Sequence, residues 1–333
     1  MTTMRAAQCA TYGPPEVVRV VDVPPPALAP GQVRVRVGAA AVNYPDVLLV
    51  AGGYQVPVEP PFVPGSEFAG VVEEVADDVR EVRVGDRVCG TGMVGAFAEQ
   101  AVASARTVTP VPRGVDLGVA AAFGVAHRTA YHALHTMAGL LTGQDLVVLG
   151  AGGGVGLAAV QLGALAGARV TAVASSPQKL DAAKAQGATV LIDHRDGKLR
   201  AALKENLPTG ADVVLDPVGG TLAEPALRSV RWGGRFVSIG FTAGIPRLPL
   251  NLVLLKGVQV TGFQLRDLAA HLPVEFEANE ARLRALFAAG AVRPHIGAEF
   301  ALADTAAALR CVADGTAIGK VVIRVTDERG SRP

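Results

Sequence analysis

The sequence has few of the groups that would tie it to nucleic acids or metal ions. Only three of its 333 residues are cysteines, and Cys9, Cys89 and Cys311 form neither a CxxC pair nor a zinc-finger spacing. Aromatic residues make up 5% of the chain, which argues against stacking platforms for single-stranded nucleic acid. Lysine and arginine number 31 and aspartate and glutamate 30, so the net charge of +1 favours neither nucleic acid nor an anionic membrane as partner.

Long unbroken apolar runs are also missing. The longest apolar stretch, LVVLGAGGGVGLAAVQLGALAGARVTAVA, is interrupted by glycines, Gln161 and Arg169, whereas a membrane span needs about 20 predominantly apolar residues. The first residues, MTTMRAAQCATYGPPEVV, contain no long apolar segment of the kind that marks a secretory signal. An odd number of cysteines is typical of a reducing compartment. We therefore expect a cytoplasmic protein that does not insert into a membrane.

Apolar residues and glycine are abundant, and their order along the chain predicts two domains. The first third is rich in valine, glycine and proline, and QVRVRVGAAAV alternates as a half-buried strand does. After about residue 121, apolar strand-like runs alternate with alanine-rich helical segments, beginning with DLVVLG. Such alternation predicts an α/β fold with a doubly wound, parallel sheet of six strands.

A glycine-rich loop follows the first of these strands, in GAGGGVGLAAVQLG. It lies between a strand and a helix, and Ala151, Gly153 and Gly156 occupy the three positions of a dinucleotide-binding fingerprint. Gly153 would let the backbone approach a pyrophosphate closely, and Gly156 would let the helix pack on the strand. A simple tight turn is the alternative reading of the same glycines. The strand, loop and helix context favours dinucleotide binding at the helix N-terminus.

The end of the second strand indicates which dinucleotide is bound. An acidic residue there would bind the ribose hydroxyl of NAD, but the sequence reads AVASSPQKL and has no acid at this point. Ser175, Lys179 and His194 offer hydroxyls and cations that suit a 2′-phosphate. The alternative for Lys179 is an ordinary exposed helix lysine. The pattern predicts NADPH as cofactor.

Several motifs, taken in order, resemble one family. GAGGGVGLAAVQLGALAGARVTAVASSPQKL, AVNYPDVLLVAGGYQVPVEPPFVPGSEFAGVVEEV, TAYHAL, DPVGG, WGGRFVSIGF, VRPHIG and GKVVI cover nearly the whole chain. Together they resemble the zinc-free quinone oxidoreductase branch, which includes zeta-crystallin, of the medium-chain dehydrogenase/reductases. The resemblance implies a GroES-like β-rich catalytic domain, at 1–121 and 263–333, interrupted by a Rossmann domain at 122–262. The nicotinamide would lie in the cleft between these domains.

The same resemblance implies that no catalytic zinc is bound. Zinc alcohol dehydrogenases of the superfamily have cysteine and histidine ligands where this sequence has Asn43 and Ser66. Neither residue type suits catalytic zinc, and Glu67 alone does not make a site. Without a metal to polarise a carbonyl, a quinone or conjugated enone is the better hydride acceptor. The expected activity is NADPH:quinone oxidoreduction; an NADPH-dependent alkenal or enone reductase and a non-catalytic, crystallin-like NADPH-binding protein are the alternatives.

The family's cofactor positions transfer to this chain residue by residue. By resemblance, Asn43 and Leu48 lie beside the nicotinamide, Thr129 beside the middle of the cofactor, and the carboxamide faces a segment following the last strand. The loop would hold the pyrophosphate, and the end of the fifth strand would also line the cofactor. The remaining positions so implied are Gly152, Gly153, Gly154 and Val155; Ser175, Lys179 and His194; Ile239, Gly240, Phe241 and Thr242; and Phe263, Gln264 and Leu265.

One segment departs from the family pattern. Many relatives have an aromatic residue and glycine where this chain reads FQLRDLAAHLPVEF, so the wall of the substrate pocket is altered. Asn43 is a candidate catalytic residue, and Tyr44 and Tyr54 are candidate proton donors or orienting hydroxyls. The alternative for both tyrosines is packing in the core or at the rim. The apolar last strand, KGVQVTGF, predicts a homodimer through its exposed edge.

Overall fold

The alternating segment at residues 32–42 forms the longest strand in the computed structural model, which describes residues 3–326. Buried and half-buried side chains alternate up to Val37, as expected where only one face of the strand packs against the core. Beyond Val37 every residue is buried, as expected where both faces of the strand are covered. The strands are β1 (Met4–Cys9), β2 (Val18–Val23), β3 (Gln32–Val42), β4 (Glu67–Val75), β5 (Arg87–Thr91), β6 (Gln100–Ser104), β7 (Val108–Pro110), β8 (Asp145–Leu149), β9 (Arg169–Ala174), β10 (Val190–Asp193), β11 (Ala211–Asp216), β12 (Val230–Ser238), β13 (Gln259–Gly262), β14 (Ile296–Ala301) and β15 (Lys320–Arg324).

Most of the α-helices in the described part of the chain lie in its second half. The helices are α1 (Tyr44–Val50), α2 (Leu117–Ala121), α3 (Gly124–Tyr131), α4 (Gly154–Leu165), α5 (Pro177–Ala185), α6 (Leu199–Asn206), α7 (Ala223–Ser229), α8 (Leu250–Lys256), α9 (Leu265–His271), α10 (Pro273–Ala288) and α11 (Thr305–Ala313), with one stretch of π-helix at His132–Met137. Within residues 3–326, no helix has the length and apolar character that crossing a membrane requires.

Side chains cap the starts of α2 and α5. Asp116 accepts hydrogen bonds from the backbone N–H groups of Gly118 and Val119 at the start of α2. Ser176 caps α5 by accepting from the N–H of Lys179, and Pro177 occupies the first helical position. Aspartate and serine are residue types that favour N-caps, and both side chains satisfy N–H groups that the helix itself leaves without acceptors.

The described chain divides into two compact units. The first unit comprises 3–125 and 296–326, and the second is Ala126–His295. The first contains a two-stranded sheet, β1–β2, and a sheet ordered β14-β15-β3-β4-β5-β7, with β6 also paired to β3. The second contains six parallel strands ordered β10-β9-β8-β11-β12-β13, as the sequence predicts.

The predicted domain boundaries are at 121/122 and 262/263, whereas the two units divide at 125/126 and 295/296. The second boundary differs more than the first. Residues 263–295 group with the second unit because α10 is joined to it by buried polar contacts. Glu280 on α10 accepts hydrogen bonds from Arg128 at 2.8 Å and pairs with the buried His132 at 3.1 Å. The ring of Phe276 stacks on His132 with centroids 4.7 Å apart. The predicted limits stay a prediction about independently folding domains.

Candidate functional site

One edge of the parallel sheet brings together residues that lie far apart in sequence. Parallel strands in register end at the same edge, which is where open α/β sheets bind ligands. Ser175, His194, Ile239 and Phe263 each follow the last residue of a strand. The paired strand ends are Leu149 with Val173, Ala174 with Asp193, Asp216 with Ser238, and Ser238 with Gly262.

The glycine loop joins β8 to α4 at this edge. A Cβ atom on Gly156 would lie 2.1 Å from the carbonyl oxygen of Gly150, so no larger residue fits there without moving the backbone. A Cβ atom on Gly153, the N-cap of α4, would make only an ordinary contact at 3.5 Å. Thus Gly156 serves helix packing, and Gly153 leaves backbone open at a 12-residue helix whose first N–H groups lack intrahelical acceptors.

Lys179 lies over this loop. A Cβ atom on Gly152 would come within 2.4–2.8 Å of the Cβ, Cγ and Cδ atoms of Lys179, so the lysine stem occupies the space beside the glycine. Its Nζ atom donates to the Ser175 hydroxyl at 3.3 Å. The side chain is half-buried, unlike that of an ordinary solvent-exposed helix lysine. Ser175 and Lys179 are therefore together at the end of β9.

His194 begins the turn after β10, next to an ion pair. The Arg195 guanidinium donates to both carboxylate oxygens of Asp193, at 3.0 Å from Nε and 2.5 Å from Nη2. This pairing lowers the pKa of Asp193 to about 2. Arg195 therefore compensates the carboxylate at the end of β10, and the half-buried His194 and Lys179 remain as the predicted phosphate contacts.

The segment after β12 packs against the turn after β11. A Cβ atom on Gly219 would lie 2.5 Å from the carbonyl oxygen of Gly244, and a Cβ atom on Gly240 would lie 3.0 Å from that of Pro217. The predicted residues Ile239 and Gly240 are half-buried, while Phe241 and Thr242 are exposed.

Asp216 shapes the turn after β11, and sequence reasoning did not single it out. It is fully buried, and one of its oxygens accepts from the N–H groups of Val218 and Gly219 at 2.8 and 2.7 Å. Burial raises the pKa of this carboxyl. The motif DPVGG was its only signal in the sequence.

Three further predicted residues lie away from the strand ends. Thr129 is half-buried on α3, outside the sheet, so strand register does not place it at the edge. Gln264 is the N-cap of α9 and is exposed, and Leu265 begins that helix. Their predicted contacts with the cofactor stay predictions.

In the first unit, Asn43 lies in a buried polar cluster with Glu67 and Lys320. The Lys320 Nζ atom donates to Asn43 Oδ1 at 2.6 Å and to Glu67 Oε1 at 2.5 Å. Asn43 Nδ2 in turn donates to Glu67 Oε1 at 2.9 Å and to the Ser66 hydroxyl at 3.2 Å. The other Glu67 oxygen accepts the N–H of Val125 at 2.8 Å. Every polar atom of the Asn43 amide is therefore used within the cluster.

Asp46 adds a second buried carboxyl to this cluster. It occupies the third position of α1, and its Oδ2 accepts the backbone N–H of Asn43 at 2.7 Å, which holds the start of the helix. Complete burial raises the pKa of Asp46 to about 7, although the Asn43 N–H, the Ser66 hydroxyl and the Lys320 ammonium favour its charged form. Asp46 is thus the carboxyl of the cluster whose charge changes near neutral pH.

The other predicted residues of the first unit, Tyr44, Leu48 and Tyr54, lie on α1 or just after it. Tyr44 is the first residue of α1, directly after Asn43, and is half-buried; Leu48 lies one turn further on. Tyr54 lies in the loop after α1 and packs against the hydrophobic core. The structure therefore places Tyr44 beside the polar cluster, whereas the position of Tyr54 fits the packing alternative.

Lys320 is a member of the cluster that sequence reasoning missed. Its only signal was the motif GKVVI, which gave no reason to connect it with Asn43, 277 residues earlier.

The polar groups of the cluster are an ammonium, an amide, a hydroxyl and two carboxylates. In the described part of the chain, no three side chains of histidine, cysteine, aspartate or glutamate are grouped so as to hold a metal ion.

Comparison with known proteins agrees with both units. Residues 29–113 match the alcohol dehydrogenase GroES-like domain, and residues 154–281 match the zinc-binding dehydrogenase family. The chain is 35% identical over 323 residues to quinone oxidoreductase-like protein 2 of Bos taurus, covering 96% of this chain and 92% of that protein.

Solved structures agree over nearly the whole chain. Escherichia coli quinone oxidoreductase, complexed with NADPH, matches with a TM-score of 0.89 at 25% identity, over 96% of this chain and 99% of that one. Mycobacterial Rv1454c, also complexed with NADPH, gives the same TM-score at 30% identity, over 96% and 99%. The predicted α/β fold, a GroES-like domain with a six-stranded Rossmann sheet, is confirmed. The chain is an NAD(P)-binding oxidoreductase that belongs to the medium-chain dehydrogenase/reductase superfamily, in its zinc-free quinone oxidoreductase branch.

Proposed function

We propose that this protein reduces quinones with NADPH and without a metal ion. The observation that carries the proposal is the cluster of Lys320, Asn43 and Glu67, whose bonds commit the residue at a zinc-ligand position to an ammonium and a carboxylate. Amide and hydroxyl groups are poor ligands for catalytic zinc. A substrate that can itself delocalise negative charge is therefore the fitting hydride acceptor.

The residues of the second unit fit NADPH. The open backbone at Gly153 and the first N–H groups of α4, which lack intrahelical acceptors, suit the pyrophosphate. Ser175 and Lys179, in contact at the end of β9, provide a hydroxyl and a positive charge for the 2′-phosphate, with His194 on the neighbouring strand end. Gly152, Gly154 and Val155 complete the loop, and Ile239 and Phe263 directly follow strand ends at the same edge. When bound, NADPH supplies the hydride.

Residues of the first unit position the nicotinamide and orient the substrate. Asn43 is the N-cap of α1 and Leu48 lies within that helix. We place the nicotinamide side of the site beside these two residues. Because the Asn43 amide is committed to Lys320 and Glu67, it fixes the start of α1 and does not transfer protons. Tyr44, half-buried beside it, orients the substrate or a water molecule. Quinone reduction can take its protons from solvent, so no buried acid is required.

Measuring NADPH oxidation with a panel of quinones and a panel of alkenals tests this function. We expect quinones to be reduced at rates that a chelator leaves unchanged, and a radical trap will distinguish one-electron from two-electron reduction. Turnover of alkenals alone would identify a double-bond reductase. Tight NADPH binding without turnover of either panel would identify a non-catalytic protein, and activity lost to chelation but restored by zinc would contradict the metal-free mechanism.

We place the protein in the cytoplasm as a homodimer. Cys9, Cys89 and Cys311 form no disulfide bond, which suits a reducing compartment. β13 is one of the two outer strands of the parallel sheet and is paired only with β12 within the described chain, and Val260 on it is 42% exposed. A second copy pairing at this edge would cover both its free backbone groups and its apolar side chains.

A further inference from the structure

The buried cluster of the first unit contains a directional chain of hydrogen bonds. Lysine can only donate, so the Asn43 atom 2.6 Å from the Lys320 ammonium is the carbonyl oxygen. The amide nitrogen must then face the acceptors, and it donates to Ser66 Oγ at 3.2 Å as well as to Glu67. The orientation of the amide is therefore fixed by the ammonium at one end.

Ser66 is the most exposed residue in this series of hydrogen bonds. Lys320, Asn43, Asp46 and Glu67 are all buried, whereas Ser66 is only half-buried. Because its oxygen already accepts a hydrogen from Asn43, its own O–H is left to donate. Hydrogen bonds in series polarise one another, and a cation at the start of the series makes the last donor stronger.

We propose that the Ser66 hydroxyl binds the carbonyl oxygen of the substrate, and that Lys320 is a positioning residue which orients and polarises it through Asn43. The inference rests on the proposed function, since it assigns the group that meets the oxygen on which negative charge develops. Ser66 keeps its proton; it donates a hydrogen bond and is neither acid nor nucleophile. The arrangement gives the polarising task of a metal ion to a buried ammonium and two neutral side chains.

Asp46 is the competing acceptor inside the cluster. Its carboxyl interacts with the Ser66 hydroxyl and also faces the Asn43 N–H, the Lys320 ammonium and the Glu67 carboxylate. One Asp46 oxygen has no hydrogen-bond partner despite complete burial. The Ser66 hydroxyl therefore interacts with Asp46 in the absence of substrate, and a substrate oxygen must compete with this carboxyl for it.

The first test is binding of an oxyanion probe, which needs no turnover. Titration of 4-nitrophenol onto the protein with NADP⁺ should show that the bound probe ionises at lower pH than the free probe. In Ser66→Ala, the affinity for the phenolate should fall about ten- to a hundredfold, as expected for loss of one charge-assisted hydrogen bond. Ser66→Thr, which keeps the hydroxyl, should stay within a few-fold of the wild type.

The control is Ser104→Ala, since Ser104 is also half-buried in the first unit and its hydroxyl accepts from the backbone N–H of Arg106. It should bind the probe as the wild type does. Equal binding of the phenolate by Ser66→Ala and the wild type would overturn the inference, as would a wild type that does not favour the phenolate form. If the wild type favours the phenolate and Ser66→Ala does not, but no quinone is reduced, the proposed function fails and the oxygen site stands.

The second test separates Lys320 from a merely structural role. Lys320→Arg keeps the cation and should retain most of the probe's pKa shift, whereas Lys320→Met should abolish it. Circular dichroism will show which variants are folded. If Lys320→Met is unfolded, the arginine variant and Ser66→Ala decide the matter. A folded Lys320→Met that keeps the full shift would show that the ammonium does not act through Ser66.

Discussion

The Nζ atom of Lys320 lies 2.5 Å from Oε1 of Glu67, and both side chains are almost completely buried, with 4% and 1% exposed. An ion pair removed from water is costly to break, because the remaining charge is left without a partner. We expect Lys320→Met to lower the free energy of unfolding by about 3–5 kcal/mol, measured by urea denaturation.

The matched control for this pair is Arg310→Met, which breaks the surface ion pair with Glu16, whose side chains are 40% and 53% exposed. Solvent screening makes such an exposed pair contribute little to the free energy of unfolding. Adding Glu67→Gln to Lys320→Met should recover part of the loss. Equal losses in the two single variants would contradict the burial argument.

Substitutions in the glycine loop should separate folding from cofactor binding. An alanine at Gly156 places its Cβ 2.1 Å from the Gly150 carbonyl, and we expect a loss of about 1–3 kcal/mol in the free energy of unfolding. An alanine at Gly153 meets only an ordinary 3.5 Å contact. That variant should unfold within about 0.5 kcal/mol of the wild type but bind NADPH more weakly in a fluorescence titration. Unchanged NADPH affinity in Gly153→Ala would show that the phosphates do not approach this backbone.

Lys179→Ala should weaken NADPH binding about ten- to a hundredfold and leave NADH binding nearly unchanged, because only NADPH has a 2′-phosphate for the ammonium to bind. Calorimetric titration with both cofactors measures the two dissociation constants. Lys184→Ala, an exposed lysine on the same helix, is the control and should affect neither. An equal loss for both cofactors would assign Lys179 to the fold, and a wild type that prefers NADH would contradict the inference from the missing acid.

A charge on the outer strand β13 of the parallel sheet should prevent dimerisation. Besides Val260, the apolar side chains of Trp232 and Leu254 in the same unit are 76% and 82% exposed. Light scattering of the wild type should give twice the chain mass, and Val260→Lys should shift it toward one chain mass. Val84→Lys, at an exposed position of the first unit, should remain dimeric. A monomeric wild type over a wide concentration range would refute the dimer.

The stability of the protein should depend on the charge of Asp46. Burial raises the pKa of Asp46 from 3.8 to about 7, so the folded state holds a proton that the unfolded state has lost between these values. This contribution to stability is therefore complete below pH 4 and is lost as the pH rises through 7. Asp46→Asn removes this dependence, and its stability relative to the wild type should improve by a few kcal/mol between pH 4 and pH 8.

Urea unfolding at several pH values checks this, with Asp22→Asn as an exposed control. A pH-independent difference between Asp46→Asn and the wild type would show that Asp46 stays charged in the fold.

Local patterns in the sequence determined much of the second unit. The run DLVVL predicts a strand buried on both faces, and β8 is buried throughout. Ser176 and Pro177 predict the start of α5, because capping depends only on neighbouring residues. The glycine pattern likewise predicts the turn into α4, since the close contact of Gly156 with Gly150 lies within seven residues.

The polar cluster was decided by tertiary structure alone. Lys320 and Asn43 meet because β15 pairs antiparallel with β3, with Val321 opposite Val42, which sets the residues next to them side by side. No local pattern records this register, because it depends on strand pairing between the two ends of the first unit. The placement of α10 in the second unit has the same origin, since Glu280 finds Arg128 and His132 about 150 residues away. The sequence by itself determined the glycine loop between β8 and α4; only long-range strand pairing could place the buried Lys320 ammonium against Asn43, beside the half-buried Ser66.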